Sequence, residues 1–385
     1  MRRFVPPRLL LLSLGHFAVD GYASFLTPLL PLLVAKLDLS LARVGALVAL
    51  ASIASSLSQP LFGWLADRIR RPWFVAFGPL TAAVFLSAIG LAPSFAVLAA
   101  LLMLGGVGTA AFHPQAAALA SGLSERRAIA LSVFVSGGTL GFSLGPLYAV
   151  SVVDAFGLER TWIAAIPGLV LAGFLVAWFA RTPSRLHPAG GRPALAELRP
   201  LARPLTLLYF AVVCRSAVGS GFMTFLPLDL HRRGFSVSAG GALLTAYLGL
   251  GALGGLLGGW LADRWGGRRV IICSFLGSAP LFFVFPLLPL LPGLVCLMAG
   301  SFLLQASLPV NVMMGQELSP RHASTISSLL MGAAWGLGNL LVGPTGALAD
   351  ARGIPVALMT LAALLPVGLA CALALPGPRR APATA

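Results

Sequence analysis

Apolar runs of about 20 residues or more, cut by short clusters of arginine, proline and glycine, cover nearly the whole chain. A helix that crosses a bilayer needs roughly 20 mostly apolar residues. On that rule the pattern predicts twelve helices, at 9–35, 42–66, 73–92, 95–121, 127–153 and 161–181, then 204–230, 238–262, 269–289, 291–316, 323–349 and 355–376. The runs are long and continuous, unlike the short alternating strands of a membrane barrel. The expected fold class is an all-α membrane protein with twelve transmembrane helices.

The pattern also repeats. The hexapeptide GWLADR closes the second run at 63–68 and the eighth at 259–264, 196 residues apart. Arg70 and Arg71 follow one copy, Arg268 and Arg269 the other. At the same offset LSLARVGAL (39–47) matches FSVSAGGAL (235–243), and Gly145-Pro146 is echoed by Gly343-Pro344. Two parallel six-helix repeats are therefore expected: a first bundle at 1–182 and a second at 204–385. The Pro-, Gly- and Arg-rich stretch 183–203 is expected to link them in the cytoplasm.

Composition sharpens this picture. Of 385 residues, 58% are hydrophobic and 10% charged, more apolar surface than a soluble core hides. The net charge of +15 lies in clusters between apolar runs and forms no basic face, which argues against nucleic acid as a partner. Orientation follows from the same clusters. The N-terminus, the loops after even-numbered helices and the C-terminus hold 19 of the 26 Lys and Arg residues, so both termini and both GWLADR turns are expected in the cytoplasm. The opening MRRFVPPRLLLLSLG has a signal-like basic and apolar start. The apolar run continues to about Leu33 without a cleavage site, so it reads as an uncleaved first span. Cys214, Cys273, Cys296 and Cys371 stand singly, without metal or redox spacing, and no metal or cofactor is expected.

Few ionisable groups remain at membrane depth: His16 and Asp20 in helix 1, His113 in helix 4 and Arg215 in helix 7. A charge near the bilayer centre costs at least about 2.5–3.5 kcal/mol on insertion scales, which favours a functional reading over a structural pair. His16 and Asp20, four apart, share a helical face. Such a pair passes a proton or tunes the acid's pKa, and a His16 that simply caps or hydrogen-bonds a neighbouring helix is the equal alternative. Pro114 withholds a backbone donor beside His113 and predicts a kink facing the cavity, where Gln115 would be a polar neighbour. By the repeat offset Arg215 lies one residue from the counterpart of Asp20. It is either the counter-ion of Asp20 or a fixed positive charge for an anionic substrate. Scattered histidines without a nucleophile or metal cluster argue against an enzyme. Tyr22, Phe112, Phe222, Asn311 and Asn339 are further candidates to line a mixed apolar–polar site or to pack between helices.

GWLADR with its trailing basic residues resembles the loop between helices 2 and 3 of the major facilitator superfamily. Six further segments resemble the fosmidomycin-resistance branch of bacterial efflux transporters. They are GHFAVDGYASFLTPLLPLL, SSLSQPLFGWLADR, GVGTAAFHPQAAALA, GGTLGFSLGPL, RSAVGSGFMTFLPL and GQELSPRHAS. Two positions depart from that branch: Val19-Asp20 stands for Asn-Asp, and His113-Pro114-Gln115 for His-Pro-Glu. The resemblance implies a monomeric secondary transporter of the bacterial cytoplasmic membrane. It would work by alternating access, with protons, a small-molecule substrate and the lipid bilayer as its partners. Proton-coupled efflux of a small organic molecule or drug is the leading expectation, and uptake or exchange of a small anionic metabolite the alternative. It further implies that Asp67, Arg68 and Arg71, with Asp263, Arg264 and Arg268, gate the cytoplasmic side, where Gly63 and Gly259 allow close helix approach. Gly141, Gly145 and Pro146 resemble the helix-5 signature of proton antiporters, though such small residues serve ordinary packing equally well.

Overall fold

The computed structural model describes residues 6–66, 68–69, 71–123, 127–180, 199–319, 322 and 326–376. Among these residues the chain is all-helical. We number the spans α1 (Pro7–Leu37), α2 (Leu41–Ala66), α3 (Trp73–Leu91), α4 (Phe95–Gly122), α5 (Arg127–Phe156) and α6 (Leu158–Phe179). The second half follows as α7 (Ala202–Arg232), α8 (Val237–Trp265), α9 (Gly267–Leu287), α10 (Leu290–Leu318) and α12 (Ile354–Ala374). Eleven of the helices are long and apolar enough to cross a membrane. The remaining span, α11, is helical in three pieces, Ser328–Ala333, Ala334–Leu340 and Val342–Arg352. It is interrupted at Leu341 and carries Asn339, Asp350 and Arg352. Most of the expected linker, 183–198, lies outside the described residues. Its last two residues, Ala202 and Arg203, belong to α7, whose first turn accommodates Pro204 because the nitrogens there need no helical partner.

The duplication is visible in the turns. Ser40 caps the start of α2 by accepting from the Arg43 amide at 3.2 Å, and Ser236 caps α8 by accepting from the Ala239 amide at 3.1 Å. Asp38 and Gly234, two residues ahead of these caps, both take positive φ (47° and 90°). Gly157 and Gly353, which introduce α6 and α12, do so as well, at 86° and 89°.

At the end remote from the GWLADR turns the halves are fastened together. α2 packs on α11 and α5 on α8. The Asp350 carboxylate reaches from α11 to the start of α2, accepting from the amides of Leu41 and Ala42 at 2.8 Å each. At the corresponding place Asp154 of α5 accepts from the Ser238 hydroxyl of α8 at 2.5 Å. An anionic side chain over the first amides of a helix satisfies otherwise unpaired donors and complements the helix dipole. The backbones beside these bonds nearly touch. A Cβ on Gly45 would collide with the Val342 carbonyl, and one on Gly346 with the carbonyl of Leu41.

That approach sets a first expected outcome. Gly45→Leu overpacks the α2–α11 seam by about 1–3 kcal/mol, which lowers the closed population about 5- to 150-fold. In a protein otherwise free of cysteine, a cysteine at Ser52, buried in this seam, should then react faster with an impermeant maleimide supplied at the sealed end. An unchanged rate would mean that the seam does not control closure.

Candidate functional site

The first half builds its site where α1, α4 and α5 meet. α1 and α5 lie backbone to backbone because α5 presents glycine at each contact. A Cβ on Gly137 would strike the Ser13 carbonyl, on Gly141 the Phe17 carbonyl, and on Gly145 the Gly21 carbonyl. At the fourth rung, Gly138, the added carbon would fall on His16 and Asp20 themselves. The helix-5 small residues therefore seat α1, and one of them borders the site. Pro146 is buried in the same helix.

His16, Asp20 and His113 converge in front of Gly138. Asp20 Oδ2 lies 3.2 Å from His16 Nε2, and Asp20 Oδ1 lies 3.1 Å from His113 Nε2. The two Nε2 atoms are themselves 3.1 Å apart. Each imidazole is held from behind: His16 Nδ1 donates to the Phe134 carbonyl at 2.9 Å, and His113 Nδ1 donates to the Thr109 carbonyl at 2.8 Å. A carbonyl only accepts, so both Nδ1 atoms carry hydrogen. In the neutral rings both Nε2 atoms are then bare, and they face each other and a carboxylate. Three acceptors at hydrogen-bonding distance repel unless protons lie between them. One proton, on His113, repairs two of the three contacts; a second, on the carboxyl, repairs the third. His16 is further fixed by stacking on Phe134, with centroids 4.2 Å apart. The cluster is not sealed, since the Asp20 and His113 side chains are 20% and 24% exposed. Its ligand atoms all lie within 4.8 Å of one another, a spacing that a divalent cation also accepts.

Gln115 does not join this group. It is buried on the side of α4 that faces α3, where its Oε1 accepts from the Val75 amide at 3.3 Å and its Nε2 has no partner. Two residues along a helix point in different directions, so the neighbour of His113 in sequence is not its neighbour in space. Arg215 does not pair with Asp20 either, whose two oxygens are taken by the histidines. Its guanidinium donates to Gln305 Oε1 of α10 at 2.8 Å and sits 5.2 Å from the Trp335 ring of α11. Tyr22 donates to the Ala164 carbonyl at 2.7 Å and packs α1 on α6. Phe112 and Phe222 are core residues. Asn339 bridges the halves, donating to Ser52 at 3.1 Å and accepting from Ser216 and Ser220.

At the GWLADR end Arg68, Arg264 and Arg268 each bind within their own half. Arg68 stacks on Trp64 with its guanidinium 3.6 Å from the ring and donates to the Trp64 carbonyl at 3.0 Å. Arg264 stacks on Trp260 at 3.5 Å, the same contact in the second copy. Arg268 donates to the Leu373 carbonyl at the end of α12 at 2.6 Å. Arg71 and Asp263 are exposed. Asp67 lies outside the described residues. Gly63 faces Pro114 of α4, and Gly259 faces Pro309 of α10 at ordinary contact distance.

Comparison with known proteins agrees with this architecture. The chain matches the Major Facilitator Superfamily over residues 12–343 and again over 208–384. It is 29% identical to the fosmidomycin resistance protein of Escherichia coli over 92% of this chain and 89% of that one. It is also 29% identical to the MFS-type transporter YfnC of Bacillus subtilis, over 95% and 92%. Identity to the multidrug resistance protein MdtG of Enterobacter lignolyticus is 26%, over 69% and 66%. Among solved structures, a bacterial homologue of the human lysosomal transporter Spinster, inward-facing and occupied, superposes with a TM-score of 0.80 at 18% identity, covering 95% of both chains. The nucleoside transporter NupG superposes at 0.74, also at 18% identity, over 95% and 99%. A twelve-helix duplicated bundle that matches one family along nearly its whole length is not an enzyme: the chain belongs to the Major Facilitator Superfamily of membrane transporters.

Proposed function

We propose that the protein exports a small organic molecule across the bacterial cytoplasmic membrane in exchange for protons, by alternating access. The observation that carries this reading is the meeting of three acceptors, His16 Nε2, His113 Nε2 and the Asp20 carboxylate, at 3.1–3.2 Å. Protons shared among the three acceptors would hold that geometry together, and the partial exposure of Asp20 and His113 would give those protons a way in and out. The relatives named for drug resistance favour export and a drug-like cargo. The positive-inside rule puts the arginine-rich turns in the cytoplasm, so the sealed end faces outward and the state described here is inward-facing. In the outward-facing state Asp67, Arg68, Arg71, Asp263, Arg264 and Arg268 would exchange their present partners for contacts between the halves.

The sign of the pH effect follows from the accounting. Acid loads the cluster and neutralises the carboxylate's repulsion; alkali empties it and drives the three acceptors apart. Proteoliposomes with an acid interior and the GWLADR turns outward should accumulate fosmidomycin, the compound in the relative's name, or another member of a drug panel. Accumulation should fade as the interior is made alkaline. Movement only under the opposite gradient would replace export with uptake of a metabolite. Transport that stops with a chelator and resumes with zinc would assign the cluster to a metal rather than to protons.

A further inference from the structure

The second half holds a buried cation that nothing described neutralises. Arg215 is 4% exposed, in the middle of α7. One nitrogen of its guanidinium donates to Gln305, and its Nε has no hydrogen-bond partner. No carboxylate lies within ion-pair distance of it among the described residues. The chain's acids explain why. Asp20 is engaged by two histidines. Asp229 is held by Arg233 at 2.8 Å, and Asp154 and Asp350 are spent at the sealed end. A guanidinium stays charged at physiological pH, so burial leaves its cost standing.

The unmet hydrogen-bonding capacity is not confined to Arg215. Asn311, on the same helix as Gln305, is 1% exposed, and both its Oδ1 and its Nδ2 lack partners. Thr245 Oγ1 of α8 is another buried atom of this half without one. Buried polar groups are almost always satisfied, so the free Nε of a buried guanidinium calls for a missing partner. A guanidinium with free N–H groups, backed by an amide and flanked by Trp335, is what a carboxylate or phosphonate docks on.

We propose that Arg215 is the recognition site for an anionic group on the transported molecule, with Trp335 covering one face of the cation. The cargo is then an organic anion carrying a carboxylate, phosphonate or sulfonate. This rests on the transporter reading but not on its direction or proton coupling. The two sites are also complementary: protons are held in the first half, and the anion in the second.

Binding in detergent separates this from coupling. Purified protein is titrated at constant ionic strength with benzoate and phenylphosphonate, with benzamide and benzylamine as the neutral and cationic controls. Tryptophan fluorescence and thermal stability are the readouts. At least one of the two anions is expected to bind the wild type at millimolar concentration and more tightly than either control. Arg215→Gln should weaken that anion about 10- to 100-fold while leaving folding intact, because it removes a buried charge. Arg215→Lys keeps the charge without the fork and should fall between. Asp20→Asn should bind the anion as the wild type does, even where its proton-driven transport fails. The proposal is overturned if neither anion binds the wild type, if a control binds as well as the anions, or if Arg215→Gln binds them with unchanged affinity.

Discussion

Asp20→Asn is expected to reduce proton-driven transport to the level of empty liposomes while substrate exchange across the membrane continues. The reasoning is chemical rather than steric. An amide has nearly the shape of a carboxyl, so α1 should still seat against the glycines of α5. Its NH₂ can donate to one histidine Nε2, which takes the place of the proton that the carboxyl would carry. One proton between the two histidines would still be called for, but the acid that loads and releases the second is gone. Exchange, which needs only that the loaded carrier reorient, should survive with a weaker pH dependence. His113→Gln tests the same idea from the other side. It removes one bare Nε2 and its proton, so the gradient should drive transport less steeply rather than not at all. Should Asp20→Asn retain full gradient-driven transport, Asp20 is not the coupling group.

Loss of the paired carboxylates at the sealed end should have the second-largest effect. Asp350→Ala removes the acceptor for two helix-terminal amides, and such caps contribute about 0.5–2 kcal/mol. Both acids are exposed to solvent, so the lower half of that range is the one to expect. Asp154→Ala forfeits one hydroxyl bond, about 0.5–1.5 kcal/mol. The two gates lie on different helix pairs, and their effects should add to about 1–2 kcal/mol, or a 5- to 30-fold shift away from the sealed state. Spin labels at Leu91 and Leu291, exposed positions in opposite halves near this end, should report a second, longer distance in the double variant. Asp350→Asn, which keeps one acceptor oxygen, should shift it less. A distance distribution identical to the wild type's would remove both carboxylates from the gating account.

The twelve helices and the duplication were readable because both leave signals in one dimension. Apolar length marks a span, and GWLADR repeats letter for letter. The site was half readable. His16 and Asp20 are four apart on one helix, so their partnership follows from helical periodicity. That His113 closes the triangle does not, because the register of α4 against α1 is set by packing of Phe112 on His16 and Gly15. Arg215 and Asp20 fall at matching places in the repeat, yet pseudosymmetry puts them in opposite halves, each with its own partners. Asp154 and Asp350 went unremarked in sequence because they read as loop acids. The signal was there: they stand 196 residues apart, the spacing of GWLADR, as do the caps Ser40 and Ser236.

Those two gates carry one more consequence. Asp154 reaches from the first half to the beginning of α8, and Asp350 reaches from the second half to the beginning of α2. Interchanging the halves reproduces the same description, which is the defining property of an isologous, two-fold interface between identical subunits. The seam is thus a homodimer contact carried inside a single polypeptide. A half-length ancestor meeting its own copy would have formed it twice over, before any fusion. Asp20, His113 and Arg215 have no such twins: the positions 196 residues away hold Ser216, Pro309 and Val19. Closure reads as the inheritance of a symmetric dimer, and cargo chemistry as what the fused chain became free to acquire.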